Sequence, residues 1–358
     1  MKIGILTHYY KSKNCGGLLQ AFALQKTIED FGFECEQIRY FNDNYKHKIL
    51  HFVKYFVCLK FLSFFSNKSR AFTNFERKIP HSKRAFNNKS LNKSNKYFDA
   101  FVVGSDQVWH PNNLNRGFSL EFTSKPKISY AASIATTSID IETKEKLNKI
   151  AMQLDYVSVR ESFSLTFFDS TNVDVDVDPV FLIKKEEWED IINFSDKKII
   201  DSNFIFCYLL GNNNDLLQKL SKEHHNFYVY APQSRIVQSP NLYYLNSFGP
   251  VDFLCFIKNT KYTITDSFHA VSFCYIFQKG IVPIKRESGN SDMSSRLPDL
   301  LTKLGYNGII VNANEIVIGN NIEKCSINSS FKQMIEESKE RLKNSLILME
   351  KNYENSGH

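Results

Sequence analysis

Several absences bound what this chain can be. No apolar run approaches the roughly 20 residues that a membrane span requires. The seven cysteines, at 15, 35, 58, 207, 255, 274 and 325, form no Cys-x-x-Cys pair. Several sit inside apolar segments, as buried free thiols do, which reads as a reduced, cytoplasmic protein. There is no clustered Cys pattern, and the adjacent His224 and His225 fall in an expected helix–strand loop, so no metal is expected. Gly-x-Gly-x-x-Gly and the Walker lysine are both missing, which leaves dinucleotide and ATP assignments unsupported. Residues 2–7 read directly as a strand, so no leader peptide is expected. Between Lys46 and Lys96, Glu76 is the single acidic residue against thirteen Lys or Arg. The rest of the chain is slightly acidic, so the formal charge of +7 is a local patch, and no nucleic-acid partner is expected.

What is present is an ordinary soluble composition over 358 residues, more than one core usually holds, so two domains are expected. Aromatic residues are frequent, with 31 Phe and 17 Tyr. Strands and helices alternate. A strand at 2–7 leads through His8 to Asn14 and Cys15-Gly16-Gly17 into a helix expected from about Leu18 to Phe31, with Phe33 to Tyr40 as the next strand. Phe98 to Val103 reads as a strand emptying into Gly104-Ser105-Asp106. Alternation resumes beyond Asp178-Pro179, and a long Lys- and Glu-rich helix closes the chain from 328 to 352. The pattern predicts two α/β units with parallel sheets: 1–185, 186–325 and a terminal helix at 326–358.

Residues 42–98 differ in kind. His47, Lys48, His51, Lys54 and Cys58 share one helical stripe, with Phe52, Val53, Phe56 and Val57 elsewhere on the surface. Two readings fit: a helix lying on an anionic bilayer surface, or a packed helical insertion with a solvated basic edge. Asn87 to Lys96 is expected as an exposed loop. The carboxylates of Asp174, Asp176 and Asp178 alternate with valines, as on a half-exposed strand.

Two strand-to-turn junctions concentrate the polar chemistry. Tyr262 to Thr265 reads as a buried strand, Asp266 and Ser267 as turn and N-cap, and His269 falls in the first turn of the following helix. Such a junction either binds an anion on the free amides of the helix start or is a capped helix with a partly buried histidine. Asp106, after the strand ending at Val103, is likewise either an N-cap or a base and acceptor for hydroxyls. Arg235 and Arg286 each follow a strand, where ligand-facing residues collect, and Arg296 lies a little further on.

Taken in order, several stretches resemble the polysaccharide pyruvyl transferase family: residues 14–24 (NCGGLLQAFAL), 102–109 (VVGSDQVW), 130–133 (YAAS), 158–161 (SVRE), 178–180 (DPV), 249–250 (GP), 265–269 (TDSFH) and 294–297 (SSRL). The resemblance covers most of the chain apart from the basic insertion. It implies an α/β fold of two Rossmann-like domains with parallel sheets, GT-B-like, carrying a helical basic insertion in the first domain and a long C-terminal helix. It implies transfer of pyruvate from phosphoenolpyruvate, a co-substrate with no further cofactor, to a sugar. A lipid-linked acceptor at the inner face of the membrane is among those it allows.

By resemblance, His269 belongs to the phosphoenolpyruvate site as phosphate ligand or acid, with Asp266, Ser267, Arg235, Arg286 and Arg296 as donor-binding candidates. Some family members carry an arginine where this chain has Ser267, so another arginine must replace it. Asp106 is the catalytic candidate on the acceptor side, with Asn14, Gly16, Gly17, Gln20, Ser105 and His8 as acceptor-binding candidates. The competing readings are a nucleotide-sugar glycosyltransferase of similar shape and a non-catalytic sugar-binding relative.

Overall fold

The computed structural model describes residues 1–41, 67–193, 202–286, 295–320 and 322–355. The chain divides into two compact units, one of residues 1–134, 138–182 and 335–358 and one of residues 135–137 and 183–334.

The first unit opens with β1 (Lys2–Leu6), α1 (Cys15–Asp30) and β2 (Glu34–Phe41). Helix α1 starts three residues before the expected Leu18, because Asn14 caps it. The Asn14 side-chain oxygen accepts from the amides of Gly16 and Gly17 at 3.0 and 3.4 Å. Gly16 and Gly17 are therefore the first helical turn and not a loop. Gly17 is needed for close packing: a Cβ there would lie 2.9 Å from the His8 carbonyl oxygen.

The basic insertion is described only from residue 67, so the amphipathic stretch at 47–58 lies outside the described residues. What is described is less helical than its composition predicts. After α2 (Asn67–Glu76), β3 (His81–Asn87) adds a parallel edge strand to β2. Ser82 and Phe86 turn inward while Lys83 and Arg84 stay exposed, which guards the edge against further pairing. The run expected as an exposed loop instead forms a short 3₁₀ helix, Leu91–Lys96, with Leu91 and Ser94 fully buried.

Strands β4 (Ala100–Val103) and β5 (Lys127–Ala132), helix α3 (Ile141–Ala151), and strands β6 (Tyr156–Val159) and β7 (Asp174–Val175) complete a seven-stranded parallel sheet. Its order is β3-β2-β1-β4-β5-β6-β7. The predicted half-exposed aspartate strand is only two residues long. Asp176 and Asp178 are buried, because each meets an arginine instead of water.

The second unit runs through α4 (Lys185–Asn193), β8 (Ile205–Tyr208), α5 (Asn214–Leu220), β9 (Phe227–Tyr230), β10 (Leu242–Tyr244), α6 (Pro250–Asn259) and β11 (Tyr262–Thr265). It continues with α7 (Phe268–Ile276), β12 (Gly280–Pro283), α8 (Arg296–Leu304) and β13 (Glu323–Lys324). The sheet order is β10-β9-β8-β11-β12-β13, with only β13 antiparallel. Aromatic rings supply much of this core: Phe206 stacks on Phe256, and Tyr208 on Tyr230. Helix α7 is buried along its whole length, consistent with its apolar sequence on every face.

Helix α9 (Ser329–Asn355) ends the described chain, and its residues from 335 belong to the first unit. There Leu342, Leu346 and Met349 are fully buried, and the Arg341 guanidinium donates twice to Asp176 at 2.7 and 2.9 Å.

Candidate active site

In an open parallel sheet, ligands collect beyond the carboxyl ends of the strands, where the strand order reverses. The first sheet reverses between β1 and β4, and the second between β8 and β11. Each unit carries one cluster of candidate residues at its own switch point.

In the second unit the cluster is built on Asp266. Its carboxylate accepts from the amides of Leu210 and Gly211, both at 2.7 Å, which ties the loop after β8 to the loop after β11. Arg286, just beyond β12, reaches back to the same residue. Its Nε donates to the Asp266 carboxylate at 3.2 Å and its Nη2 to the Asp266 carbonyl at 2.8 Å. Ser267 caps α7, its hydroxyl accepting from the Ala270 amide at 3.4 Å, and its own amide donates to the Thr265 hydroxyl at 3.0 Å. His269 is the second residue of α7 and is buried.

Asp266, Ser267, His269 and Arg286 thus stand together at the positive end of a nine-residue helix. Among the arginines singled out from the sequence, Arg286 is the one held at the turn that contains Ser267. Arg296 is buried at the start of α8, which packs on α7. Arg235 lies apart: its side chain is exposed and its amide donates to Asn214 at 2.7 Å. Among the described residues no contact joins Arg235 to the His269 cluster.

In the first unit the corresponding junction is more densely bonded. Gly104 admits no side chain, since a Cβ would fall 1.9 Å from the Tyr130 carbonyl oxygen. Gln20 and Ser105, expected among the acceptor-binding residues, both make internal hydrogen bonds. Gln20 is fully buried. Its amide nitrogen donates to Thr7 and to the Gly17 carbonyl at 2.7 and 2.9 Å, and its oxygen accepts from the Ser105 amide at 3.2 Å. The Ser105 hydroxyl donates to the Ala131 carbonyl at 2.7 Å. Both side chains lock the loops after β1 and β4 together, and the Asn14 oxygen is used in capping α1.

Asp106 is nearly buried and lies 3.4 Å from Arg160. Arg160 also meets Asp178 at 2.7 Å and Glu161 at 3.1 Å, and donates to the Ser133 hydroxyl at 2.9 Å. Burial works against the Arg160 charge, but Glu161, Asp178 and Asp106 outweigh it and raise its pKa. One cation facing three carboxylates is a framework that sequence reading missed. The signal was present in Arg160-Glu161 and Asp178, residues that become neighbours only when β6 and the following segments fold beside β5.

His8 stands one residue beyond the Thr7 that follows β1. Its Nε2 is buried and has no hydrogen-bond partner among the described residues. Its ring packs on Phe118 with centroids 4.3 Å apart. Burial lowers its pKa, against the opposing effects of the Asp106 charge and a hydrogen bond to the Gln107 backbone. Among the described residues no group of three or more His, Cys, Asp or Glu is arranged to hold a metal. No described helix is long and apolar enough to cross a membrane.

Two Rossmann-like α/β units with such strand orders define a GT-B-like fold. Solved structures agree. The chain is similar to a UDP-GlcNAc 2-epimerase of Methanocaldococcus jannaschii, solved with UDP-GlcNAc and UDP, at 12% identity and a TM-score of 0.55, covering 97% of this chain and 100% of that one. It is also similar to UDP-N-acetylglucosamine 2-epimerase from Rickettsia bellii, at 12% identity and a TM-score of 0.54, covering 98% and 96%. No curated protein matches it. The family model for polysaccharide pyruvyl transferase matches residues 14–288, well over half of the chain. The chain belongs to the polysaccharide pyruvyl transferase family.

Proposed function

We propose that this protein transfers pyruvate from phosphoenolpyruvate to a sugar of a surface polysaccharide precursor, closing a cyclic ketal and releasing phosphate. The observation that carries the reading is Arg286, anchored on Asp266 beside His269 at the start of α7. A small polyanion suits a guanidinium and a helix N-terminus acting together.

In this reading one proton adds to the methylene carbon of phosphoenolpyruvate and makes the central carbon electrophilic. A sugar hydroxyl oxygen bonds to that carbon, the bond to the phosphate oxygen breaks, and a second hydroxyl closes the ketal. Of the two hydroxyl protons released, one balances the proton gained by the methyl group and the other leaves with phosphate. His269 supplies the acid or the phosphate ligand and Arg286 neutralises the departing phosphate, while Asp106 serves the acceptor hydroxyls. The acceptor is carried on a membrane lipid at the cytoplasmic face, with the basic stretch between Lys46 and Lys96 touching the anionic surface.

The test is phosphate release from phosphoenolpyruvate with a panel of sugar acceptors. His269→Ala should lower kcat by about 10²–10³, the usual loss for one preorganised donor. Near wild-type turnover in that variant would remove His269 from the chemistry. The rival reading, a nucleotide-sugar glycosyltransferase, draws on the fold shared with a protein that binds UDP-GlcNAc. Binding of a nucleotide sugar with indifference to phosphoenolpyruvate would favour it.

A further inference from the structure

Lysines elsewhere in this protein meet carboxylates: Lys2 pairs with Glu34 and Glu36, Lys26 with Asp30, Lys144 with Asp169 and Lys303 with Asp299. The β3 edge of the first sheet breaks that pattern. Among the described residues, no carboxylate forms an ion pair with Lys11, Arg39, Lys83, Arg84, Lys89 or Arg116. Glu76 lies near enough to feel the Lys11 and Arg39 charges, but it bonds to the Lys11 amide, at 3.1 Å. Arg39 is half-buried and the other five cations are exposed. We propose that this cationic edge docks the protein on an anionic bilayer surface. The proposal rests on the pyruvyl-transfer reading with a lipid-carried acceptor. It also names a face wider than the basic stretch, since Lys11, Arg39 and Arg116 lie outside Lys46–Lys96.

Contacts make the six residues one face. Lys11 and Arg39 both lie against the Tyr10 ring, 5.2 and 6.0 Å from its centroid. Arg39 stands beside Ala85 in the β2–β3 ladder, and its guanidinium donates to the Lys83 carbonyl. Arg84, next along β3, donates to the Tyr97 hydroxyl at 3.3 Å. Arg116 donates to the carbonyl of Asn88, the neighbour of Lys89, at 3.4 Å. Guarding an edge strand accounts for Lys83 and Arg84. It does not account for cations gathered from β2 and from the loops after β1 and β4. Like charges held side by side repel, and a partner of opposite sign relieves that repulsion. Lys11 and Lys89 follow the carboxyl ends of β1 and β3, and Arg116 is bonded beside Lys89. Docking therefore brings the ligand end of the sheet to the surface that carries the acceptor.

Apolar groups accompanying the charge select lipid over nucleic acid. Phe41, at the end of β2, is 40% exposed and Tyr97 is 48% exposed, as rings are that settle among headgroups. Beyond Phe41, the sequence of residues 42–66 combines four lysines and a single acidic residue, Asp43, with Ile49, Leu50, Val53 and Val57. Aliphatic side chains gain from an acyl layer and little from phosphates and bases.

The experiment sediments the full-length protein with vesicles of phosphatidylglycerol and phosphatidylcholine, and with vesicles of phosphatidylcholine alone, at low and moderate salt. Binding should require phosphatidylglycerol and weaken with salt. The variant combining Lys11→Gln, Arg39→Gln and Arg116→Gln should bind about tenfold or more weakly. If it does not fold, Lys83→Gln with Arg84→Gln and Lys89→Gln, all at exposed positions, should give a similar loss. Lys144→Gln with Lys146→Gln and Lys149→Gln removes as much charge from α3 and should change binding by less than about twofold. A protein left in the supernatant with both vesicles, equal binding to both, or equal losses in the edge and α3 variants overturns the proposal. So does a protein that ignores vesicles but binds a mixed-sequence oligonucleotide through the same residues. Phosphate release from phosphoenolpyruvate with a soluble acceptor is measured in parallel. Release without vesicle binding overturns the docking face alone, whereas vesicle binding through the edge in a protein indifferent to phosphoenolpyruvate supports the face and overturns the pyruvyl-transfer reading.

Discussion

At the scale of single residues, the first unit's junction is governed by which charges are buried and what they meet. Asp106 shares Arg160 with Glu161 and Asp178, which holds its side chain in place. If it serves the acceptor, Asp106→Asn should change kcat or the acceptor KM about tenfold or more and leave the phosphoenolpyruvate KM within about twofold. Steady-state kinetics with each substrate varied in turn separates the two, and a change confined to thermal stability would reduce Asp106 to a framework residue. His8 gives a second, thermodynamic test. Burial lowers its pKa below the ordinary 6.5, so below that pH the unfolded chain binds the proton more readily than the native one. Its contribution is fully present above about pH 6.5 and is lost as pH falls towards the depressed native value, with a slope of at most about 1.4 kcal/mol per pH unit. Urea denaturation across this range should show the slope in the native protein and a shallower one in His8→Phe.

At the scale of elements, α1 explains why a glycine pair follows a strand without forming a phosphate loop. The helix must begin against the His8 carbonyl so that Gln20 can reach Thr7 and the Ser105 amide, and only glycine fits at 17. Gly17→Ala should cost about 1–3 kcal/mol by overpacking, and the strain should be felt first in the loop that carries His8. Chemical denaturation gives the loss, and near-native stability would mean that the loop yields freely. Helix α7 makes the complementary point. Its cap and first turn carry Ser267 and His269, and the residues behind them are buried, so the ligand-facing end is fixed by the core behind it.

At the scale of the whole molecule, the terminal helix matters as much as any strand. Residues from 335 onward belong to the first unit and satisfy two otherwise buried groups there. The Ser338 hydroxyl accepts from the Val177 amide at 3.1 Å, and Arg341 pairs with Asp176, which also accepts from the Tyr156 hydroxyl at 2.7 Å. Arg341→Met keeps the apolar stem but leaves Asp176 without its cation. The expected loss is about 1–3 kcal/mol of stability, read from the unfolding transition, and an unchanged transition would mean that Tyr156 and backbone groups suffice.

The sequence by itself determined the elements and their class. Apolar strands such as Tyr262–Thr265 and Phe98–Val103 carry their own period, and Asp266 and Ser267 announce a turn and a helix start by side-chain chemistry alone, whereas the Asn14 cap was not legible before the structure. The ordered motifs also determined the family, and the alternation determined two parallel sheets. Tertiary structure decided everything that depends on residues far apart in the chain. It brought Arg286 to Asp266 and left Arg235 elsewhere, and it made Arg160 the partner of Asp178. It spent Gln20 and Ser105 on internal bonds, and turned an aspartate strand inward because arginines arrive from 160 and 341. Periodicity reports which face of an element is apolar, not which distant charge will meet it, and a buried carboxylate reads the same as an exposed one until its partner is in place.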